Sequence, residues 1–572
     1  MPDRSSATPS AAPSSRPATL RDEVRAAVAR GLEQAIAAGA LPALPEDDAT
    51  VIGVDRPGDP THGDFATSLA LKLARPLRMA PPAIGAALAD AIRAGIAAAP
   101  DGPLADVTVA GPGFVNLRLA DAALERTIAG ILAAPEAWGR RPATGRRVNV
   151  EFVSANPTGP LTVGNARGAF VGDLLSRVLE AGGQHVTREY YFNDSGAQVH
   201  NLGASVLAIR AGEVIPEDGY HGDYVATMAS ELPTSALEAA LVAGEDPAWA
   251  VGRWASERVR AGIEASLDRL GVHFDVWTTE ASLHDEGWVD RAVERLRAAG
   301  HVYEQDGAVW FRSTTFGDDK DRVIVKSDGS RTYFAADIGY VTEKFSRGFD
   351  HLIYIWGADH HGTVARVRNA ASAMGFDVSA VEMLLTGWVR FIRDGVEVSM
   401  SKRAGTFITL DDLLEDLGVD AARWFFASRG ANVNMDVDLE LAKKQSSENP
   451  VYYVQYAHAR IASILRKGAD AGLSPAASVA GLLAGEPEDR LARVVVRYPE
   501  VVEDAAAEQE TQGVTTYAIE LATAFHAFYR DARVVDPDAP ERSAARLALV
   551  AAARITLASA LGLLGISAPE SM

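Results

Sequence analysis

The stretch Val148–Gly183, VNVEFVSANPTGPLTVGNARGAFVGDLLSRVLEAGG, decides how the rest of the chain is read. It opens on alternating and β-branched apolar residues that predict a strand, passes through a Pro/Gly loop, and continues with Phe170, Leu174, Leu175, Val178 and Leu179 at helical spacing. A second strand is predicted over His185–Tyr191. Strand, loop, helix and strand make half of a nucleotide-binding α/β sheet, in which the helix N-terminus turns its unpaired N–H groups toward an anion.

The loop chemistry suits a phosphate or a flat base. Pro157 and Pro160 hold the backbone extended, Gly159 relieves it, and Gly164 removes a Cβ where an adenine would lie on bare backbone. Ser154, Asn156, Thr162 and Asn165 supply hydrogen-bonding groups around that space. Taken alone, the same letters also describe an ordinary strand-to-helix turn.

Working outward, ANPTGPLTVGNARG resembles the H-I-G-H segment of class I aminoacyl-tRNA synthetases, and VSMSKRAG, from Val398 to Gly405, resembles their K-M-S-K segment. EFVSANPTGPL, YYFNDSGAQVHNLG, YIWGADHHGT and NPVYYVQYAHARIASIL together resemble the arginyl-tRNA synthetase family, from about Pro57 to the C-terminus. Two departures stand out. Thr162 and Asn165 occupy the positions of the family's two histidines, and Ser399 replaces the first lysine of the second motif, whereas Lys402 is retained.

The resemblance implies a Rossmann-like parallel-sheet catalytic domain with an insertion, a small N-terminal α/β appended domain and an all-α C-terminal anticodon-binding domain. The expected boundaries are a disordered Ser/Pro/Ala tail over 1–18, the appended domain over 19–135, the catalytic domain over 136–448 and the helical domain over 449–572. The implied reaction is ATP-dependent ligation of L-arginine to tRNA(Arg) through an arginyl-adenylate, with transfer to the 2′-hydroxyl of the terminal adenosine. Thr162, Gly164, Asn165 and Lys402 would act in catalysis; Pro157, Thr158, Gly159, Pro160, Val163, Gly357, Asp359, His360, Met400 and Ser401 would bind ATP. Glu151, Ser154, Asn156, Tyr333 and Asp337 would hold arginine, and Tyr453, Tyr456 and Arg460 would meet tRNA. Magnesium is expected to arrive with ATP as cosubstrate, and no protein-bound metal is expected. A catalytically silent tRNA-binding paralogue is the rival reading.

Several of these residues have plainer explanations. Tyr333 and Asp337 lie about one helical turn apart, which suits either a shared cavity or an amphipathic helix with a solvated acid. Lys402 and Arg403 also read as an exposed basic turn. The pair His360 and His361 beside Asp359 is a poor metal motif, because adjacent histidines rarely face one ion. Tyr452, Tyr453, Tyr456, His458 and Arg460 suit base stacking or a bundle core.

Along the remaining chain, helices are predicted over Leu20–Ala38, Asp64–Ala74 and Pro82–Ile96, and strands over Val51–Val54, Val107–Val109 and Phe114–Leu119. Residues from about Leu207 to Ala299 read as a helical insertion broken by a turn at Tyr220–Val225, with strands returning at Ala308–Phe311 and Arg322–Lys326. The length of 572 residues allows three or four domains, and 48% apolar with 23% charged residues is a globular composition. Zero cysteines exclude disulfides and thiolate zinc sites. A net charge of −21 argues against coating nucleic acid by bulk attraction, although Lys and Arg gathered on one face still serve a specific RNA. With no apolar run of membrane length and no secretory core expected, the reading is a cytoplasmic monomer without membrane contact.

Overall fold

The computed structural model describes residues 19–45, 50–358, 361–398, 409–481 and 485–572. The tail expected to be disordered, 1–18, lies outside them. At the centre are five strands, β1 (Arg147–Glu151), β2 (His185–Phe192), β3 (Val276–Thr279), β4 (His351–Gly357) and β5 (Val381–Thr386), all paired in parallel. Their spatial order is β5-β4-β1-β2-β3, so the winding reverses between β1 and β4. The C-terminal ends of those two strands open a crevice there, the usual place for a ligand in such sheets. Both are buried almost throughout; β4, HLIYIWG, has the near-continuous apolar letters that go with this, whereas β1, RVNVE, buries Asn149 and Glu151 as well.

Helix α1 (Val163–Ala181) crosses from β1 to β2 and is buried on nearly every side. Phe170, Leu175 and Leu179 join the core over the sheet, whereas Leu174, Val178 and Ala181 join a second core built from the N-terminal and C-terminal parts of the chain. Its glycines set the approach. A Cβ on Gly172 would stand 2.1 Å from the Phe152 ring, so the helix can press on the end of β1 only because that position lacks a side chain.

Between β2 and β3 lie α2 (Ala197–Ala211), α3 (Asp223–Glu231), the helix Thr234–Ala243 and α4 (Pro247–Leu270). The helical reading of 207–299 therefore misses β3, a four-residue edge strand, VWTT, of middling burial that shows no alternation of its own. After β3 come two short helices, Glu280–Asp285 and Trp288–Ala298, and an antiparallel three-stranded sheet over Val302–Gln305, Ala308–Phe311 and Arg322–Val325. Helix α5 (Tyr333–Ser346) leads back to β4, and α6 (His361–Ala373) joins β4 to β5.

In the N-terminal region the helix expected over Asp64–Ala74 begins only at Leu69, because Phe65–Thr67 pairs antiparallel with Val115–Leu117 as an edge strand. The Asp64 carboxylate accepts the Leu119 N–H at 2.8 Å, and this sheet pairing overrides the local helical spacing. Val51–Val54 forms no strand; a single bridge, Asp55 to Ala66, is what that segment contributes.

The C-terminal bundle contains α7 (Pro450–Asp470), α8 (Gln512–Asp531) and α9 (Pro540–Leu563). Against the expectation of no membrane-length apolar run, α9 is long and apolar enough to cross a membrane by length and composition. Its Leu549, Val550, Leu557 and Leu561 are nevertheless wholly buried among the other helices, so it is the core helix of the bundle. The bundle also grips the N-terminal region through ion pairs: Arg56 Nε to Glu500 at 2.6 Å, Arg493 Nη1 to Asp64 at 2.5 Å, and Arg21 to Asp504.

Gly172→Ala gives a direct check of the helix contact. The ring clash is expected to cost about 1–3 kcal/mol, exceeding the roughly 1 kcal/mol that alanine gains in a helix. Urea unfolding followed by circular dichroism should therefore show a less stable variant, and an unchanged or raised midpoint would contradict the contact.

Candidate functional site

The crevice is a cleft of about 1310 Å³ walled by the loop after β1, the start of α1, α5, the end of β4 and the segment Thr386–Val389. Its floor is strained. Val153 and Ser154 have φ of 66° and 40°, and a β-branched residue in the left-handed region costs on the order of 1–3 kcal/mol. Neighbours over-determine that conformation: Ala155 N–H donates to Tyr190 Oη at 3.0 Å, and that hydroxyl donates back to the Ala155 carbonyl at 3.1 Å. Tyr191 N–H donates to Ser154 Oγ at 3.1 Å.

Two further ties shape the loop and helix start. Tyr224, from α3, donates its hydroxyl to the Thr158 carbonyl at 2.8 Å and lies 3.3 Å from where a Gly159 side chain would begin. Thr162 caps α1, and Asn165 Oδ1 accepts from both Thr162 N–H at 3.2 Å and Thr162 Oγ1 at 2.9 Å. The Nδ2 of Asn165 has no partner among the described residues. Gly164 leaves the surface bare, since only Thr162 Oγ1, at 3.5 Å, approaches its missing Cβ. The N–H groups of this first turn, with the helix dipole behind them, suit a phosphate. Leu410 N–H donates to Leu161 O at 2.8 Å and Thr409 bridges to Thr162, so Thr409 and Leu410 are tied to the helix start.

The deep end of the cleft is acidic. Glu151, at the end of β1 and 3% exposed, accepts from Ser154 Oγ at 3.0 Å and from Lys344 Nζ at 2.8 Å. Lys344 on α5 is fully buried, its ammonium lying 4.1 Å and 3.9 Å from the ring centres of Tyr340 and Tyr354. Behind this pair, buried Glu189 accepts from Asn149, Thr278, Tyr340 and Arg347. Burial pushes the Glu189 carboxyl up, but Lys344, Arg347 and those hydrogen bonds outweigh it and hold it below its ordinary range.

Asp337 lines the cleft one helical turn before Tyr340 and Val341, and has no ion-pair partner among the described residues. Burial first, then the charges of Glu280 and Glu151, push its carboxyl up to about 7. Glu280, 5% exposed, accepts from Tyr191 Oη at 2.9 Å and Ser195 Oγ at 2.6 Å and likewise has no cation among the described residues. Glu151 is thus neutralised from within the fold and Glu280, off the cleft wall, is held by two hydroxyl donors, whereas Asp337, on the wall, is left to an incoming cation.

Glu151, Ser154, Asn156, Thr158, Gly159, Pro160, Thr162, Val163, Gly164, Asn165, Asp337 and Gly357 all line the one cleft. Tyr333 stands apart from its walls, 60% exposed at the first position of α5, with its hydroxyl against Gly196. Asp359, His360, Met400, Ser401 and Lys402 lie outside the described residues. Tyr453, Tyr456 and Arg460 share α7, with the Arg460 guanidinium 5.3 Å from the Tyr456 ring and 4.9 Å from that of Tyr529 on α8. Sequence reasoning missed Lys344, Glu189, Tyr190, Tyr224 and Glu280; their signal was local only for Glu280, which follows the capping residue Thr279.

Comparisons with known proteins agree along the whole chain. Residues 22–119 match the family described as the arginyl tRNA synthetase N terminal domain, residues 127–213 and 242–463 the tRNA synthetases class I (R) catalytic domain, and residues 454–572 the DALR anticodon binding domain. The arginine–tRNA ligase of Citrifermentans bemidjiense is 44% identical, the match covering 97% of this chain and 100% of that protein. That of Bacillus subtilis is 43% identical, covering 97% and 98%. Among solved structures, Thermus thermophilus arginyl-tRNA synthetase superposes with a TM-score of 0.73 at 25% identity, covering 97% of this chain and all of that one.

The buried pair at the base of the cleft makes a stability prediction. Lys344→Met strands a carboxylate inside the protein and should cost about 3–5 kcal/mol, whereas adding Glu151→Gln should recover most of the loss. Chemical denaturation of both variants checks this, and equal losses would mean that the charges are not coupled.

Proposed function

Because the chain belongs to the arginyl-tRNA synthetase family of class I ligases, we propose that this cleft seats ATP over the start of α1 and the arginine side chain at the acidic deep end. The protein is an ATP-dependent ligase that aminoacylates tRNA(Arg). The observation carrying the substrate assignment is Asp337, a cleft carboxylate with no counter-cation among the described residues, beside Glu151, which Lys344 already neutralises. A guanidinium presents a planar fork of donors to such an acceptor, and a neutral side chain would leave this acid buried and unpaired.

In this reading an arginine carboxylate oxygen attacks the α-phosphorus of ATP, pyrophosphate leaves, and arginyl-adenylate forms. The 2′-hydroxyl of the terminal adenosine then attacks the carbonyl carbon, AMP leaves, and the hydroxyl proton passes to solvent or phosphate. Catalysis is chiefly alignment and stabilisation of phosphate charge. The first-turn N–H groups around Val163 and Gly164, with Thr162 and the Nδ2 of Asn165, supply neutral donors where the family's usual motif has histidines. Pro157, Thr158, Gly159, Pro160 and Gly357 shape the nucleotide seat, joined by Asp359, His360, Met400 and Ser401. Lys402 closes on the triphosphate; support comes from the flanks of its segment, Val398 N–H on Phe391 O at 2.8 Å and Leu410 on Leu161. Ser154 and Asn156 hold the amino-acid end, Glu151 completes the substrate's surroundings, Tyr333 stays outside the open cleft's walls, and magnesium enters bound to ATP.

The same reading divides the chain at 19–135, 136–448 and 449–572, and gives the tRNA to all three parts. Tyr453, Tyr456 and Arg460 are proposed as anticodon-side contacts, where the exposed Tyr456 ring, the half-buried Tyr453 ring and a guanidinium suit unpaired bases. The enzyme is proposed to act as a monomer in the cytoplasm. A catalytically silent paralogue is not favoured, since the match to ligases runs through nearly the whole chain.

Charging of total tRNA with each amino acid in turn tests the assignment: arginine alone should be esterified, and charging with another amino acid in its place would reject it. A pH series tests the pocket. Asp337 must be anionic to meet a guanidinium, and its carboxyl titrates at about 7 in the open cleft. Arginine affinity should therefore rise by up to about tenfold per pH unit as pH climbs toward 7, then level off. Asp337→Asn should bind arginine weakly at every pH and lose that slope, while the KM for ATP changes little.

A further inference from the structure

Among the described residues, several buried polar atoms lack a hydrogen-bond partner, and of these only the Tyr354 hydroxyl belongs to a residue on the cleft wall. A buried polar atom left unpaired is costly, so its persistence asks for a partner that arrives from outside. The neighbouring tyrosines make the contrast plain. Tyr340 donates to Glu189 at 2.7 Å, Tyr191 to Glu280 at 2.9 Å, and Tyr190 to the Ala155 carbonyl at 3.1 Å.

The position of Tyr354 is fixed from three sides. It is 2% exposed, and the β1–β4 register sets it directly beside Glu151, so both side chains leave the sheet on the same face. The Lys344 ammonium lies 3.9 Å from its ring centre while holding Glu151 at 2.8 Å. Burial first, then the charges of Glu151, Glu189 and Asp337, disfavour the phenolate, so the group stays a neutral phenol. Its oxygen, without a partner among the described residues, can therefore accept a hydrogen bond.

We infer that Tyr354 is a further specificity-determining residue, its phenol oxygen receiving an N–H of the substrate's guanidinium beside the acids of the pocket. The inference rests on the reading of this cleft as the seat of arginine. A compact ammonium is a point charge that serves Asp337 alone, whereas a planar fork of five donors can serve Asp337 and this oxygen together.

Tyr354→Phe keeps the ring under Lys344 and deletes only the orphan oxygen. If the oxygen meets substrate, the KM for arginine should rise about tenfold, with kcat and the KM for ATP changing by less than about twofold. The melting temperature should stay level or rise, because a buried polar group without a partner has been removed. A folded variant with unaltered arginine KM would overturn the inference, as would a lower melting temperature with equal rises in both KM values, which marks a structural role. Wild-type enzyme assayed in parallel separates the two levels: failure to charge tRNA with arginine rejects the underlying reading, whereas normal charging with an indifferent variant rejects only the role of Tyr354.

Discussion

The ion pair between Lys344 and Glu151 is the constraint around which the catalytic half of the molecule is arranged. A carboxylate at the end of a central parallel strand faces the crevice but has little water, so it needs a fixed cation, and α5 supplies one from the opposite wall. The ammonium needs its own surroundings, which Tyr340 and Tyr354 provide through their ring faces. Glu189 and Arg347 then balance the layer behind, together with Asn149, Thr278 and the Tyr340 hydroxyl. With this interior charge closed upon itself, what remains at the surface of the pocket is a defined deficit of positive charge.

That separation between internal and external charge explains how one cleft handles two very different substrates. Among the described residues, the triphosphate end is made of neutral donors and a helix dipole. The amino-acid end carries the unpaired acid. Strain in Val153 and Ser154 turns the chain sharply between the two, and Tyr190 fastens the turn by hydrogen bonds in both directions. The sheet thus fixes both ends from a single strand, β1.

Much of this was legible in the letters. The strand, loop and helix of Val148–Gly183 announce themselves through local spacing, and the family resemblance pointed to Glu151 and Asp337, which line the same cleft. What escaped has a common physical cause. Lys344, Glu189 and Tyr224 act through contacts far apart in sequence, so nothing in their neighbourhoods distinguishes them from ordinary helix or strand residues. The edge strands Phe65–Thr67 and Val276–Thr279 are too short to develop a period, and exist because a neighbouring strand pairs with them. The apolar α9 misleads in the other direction: enclosure by a helical bundle and enclosure by lipid demand the same composition.

Arg423 has a bearing on how the chain is made. It is wholly buried, pairs with Asp173 on α1, and donates to the carbonyl of Leu270 at the end of α4 and to that of Leu564 just past α9. During synthesis, the nucleotide helix and the N-terminal region emerge first yet lack the wall against which Leu174, Val178 and Ala181 finally pack. Their apolar flank must wait, exposed, until α9 has been made, so the two ends of the fold close on each other late, and a chain lacking α9 would be unable to seal.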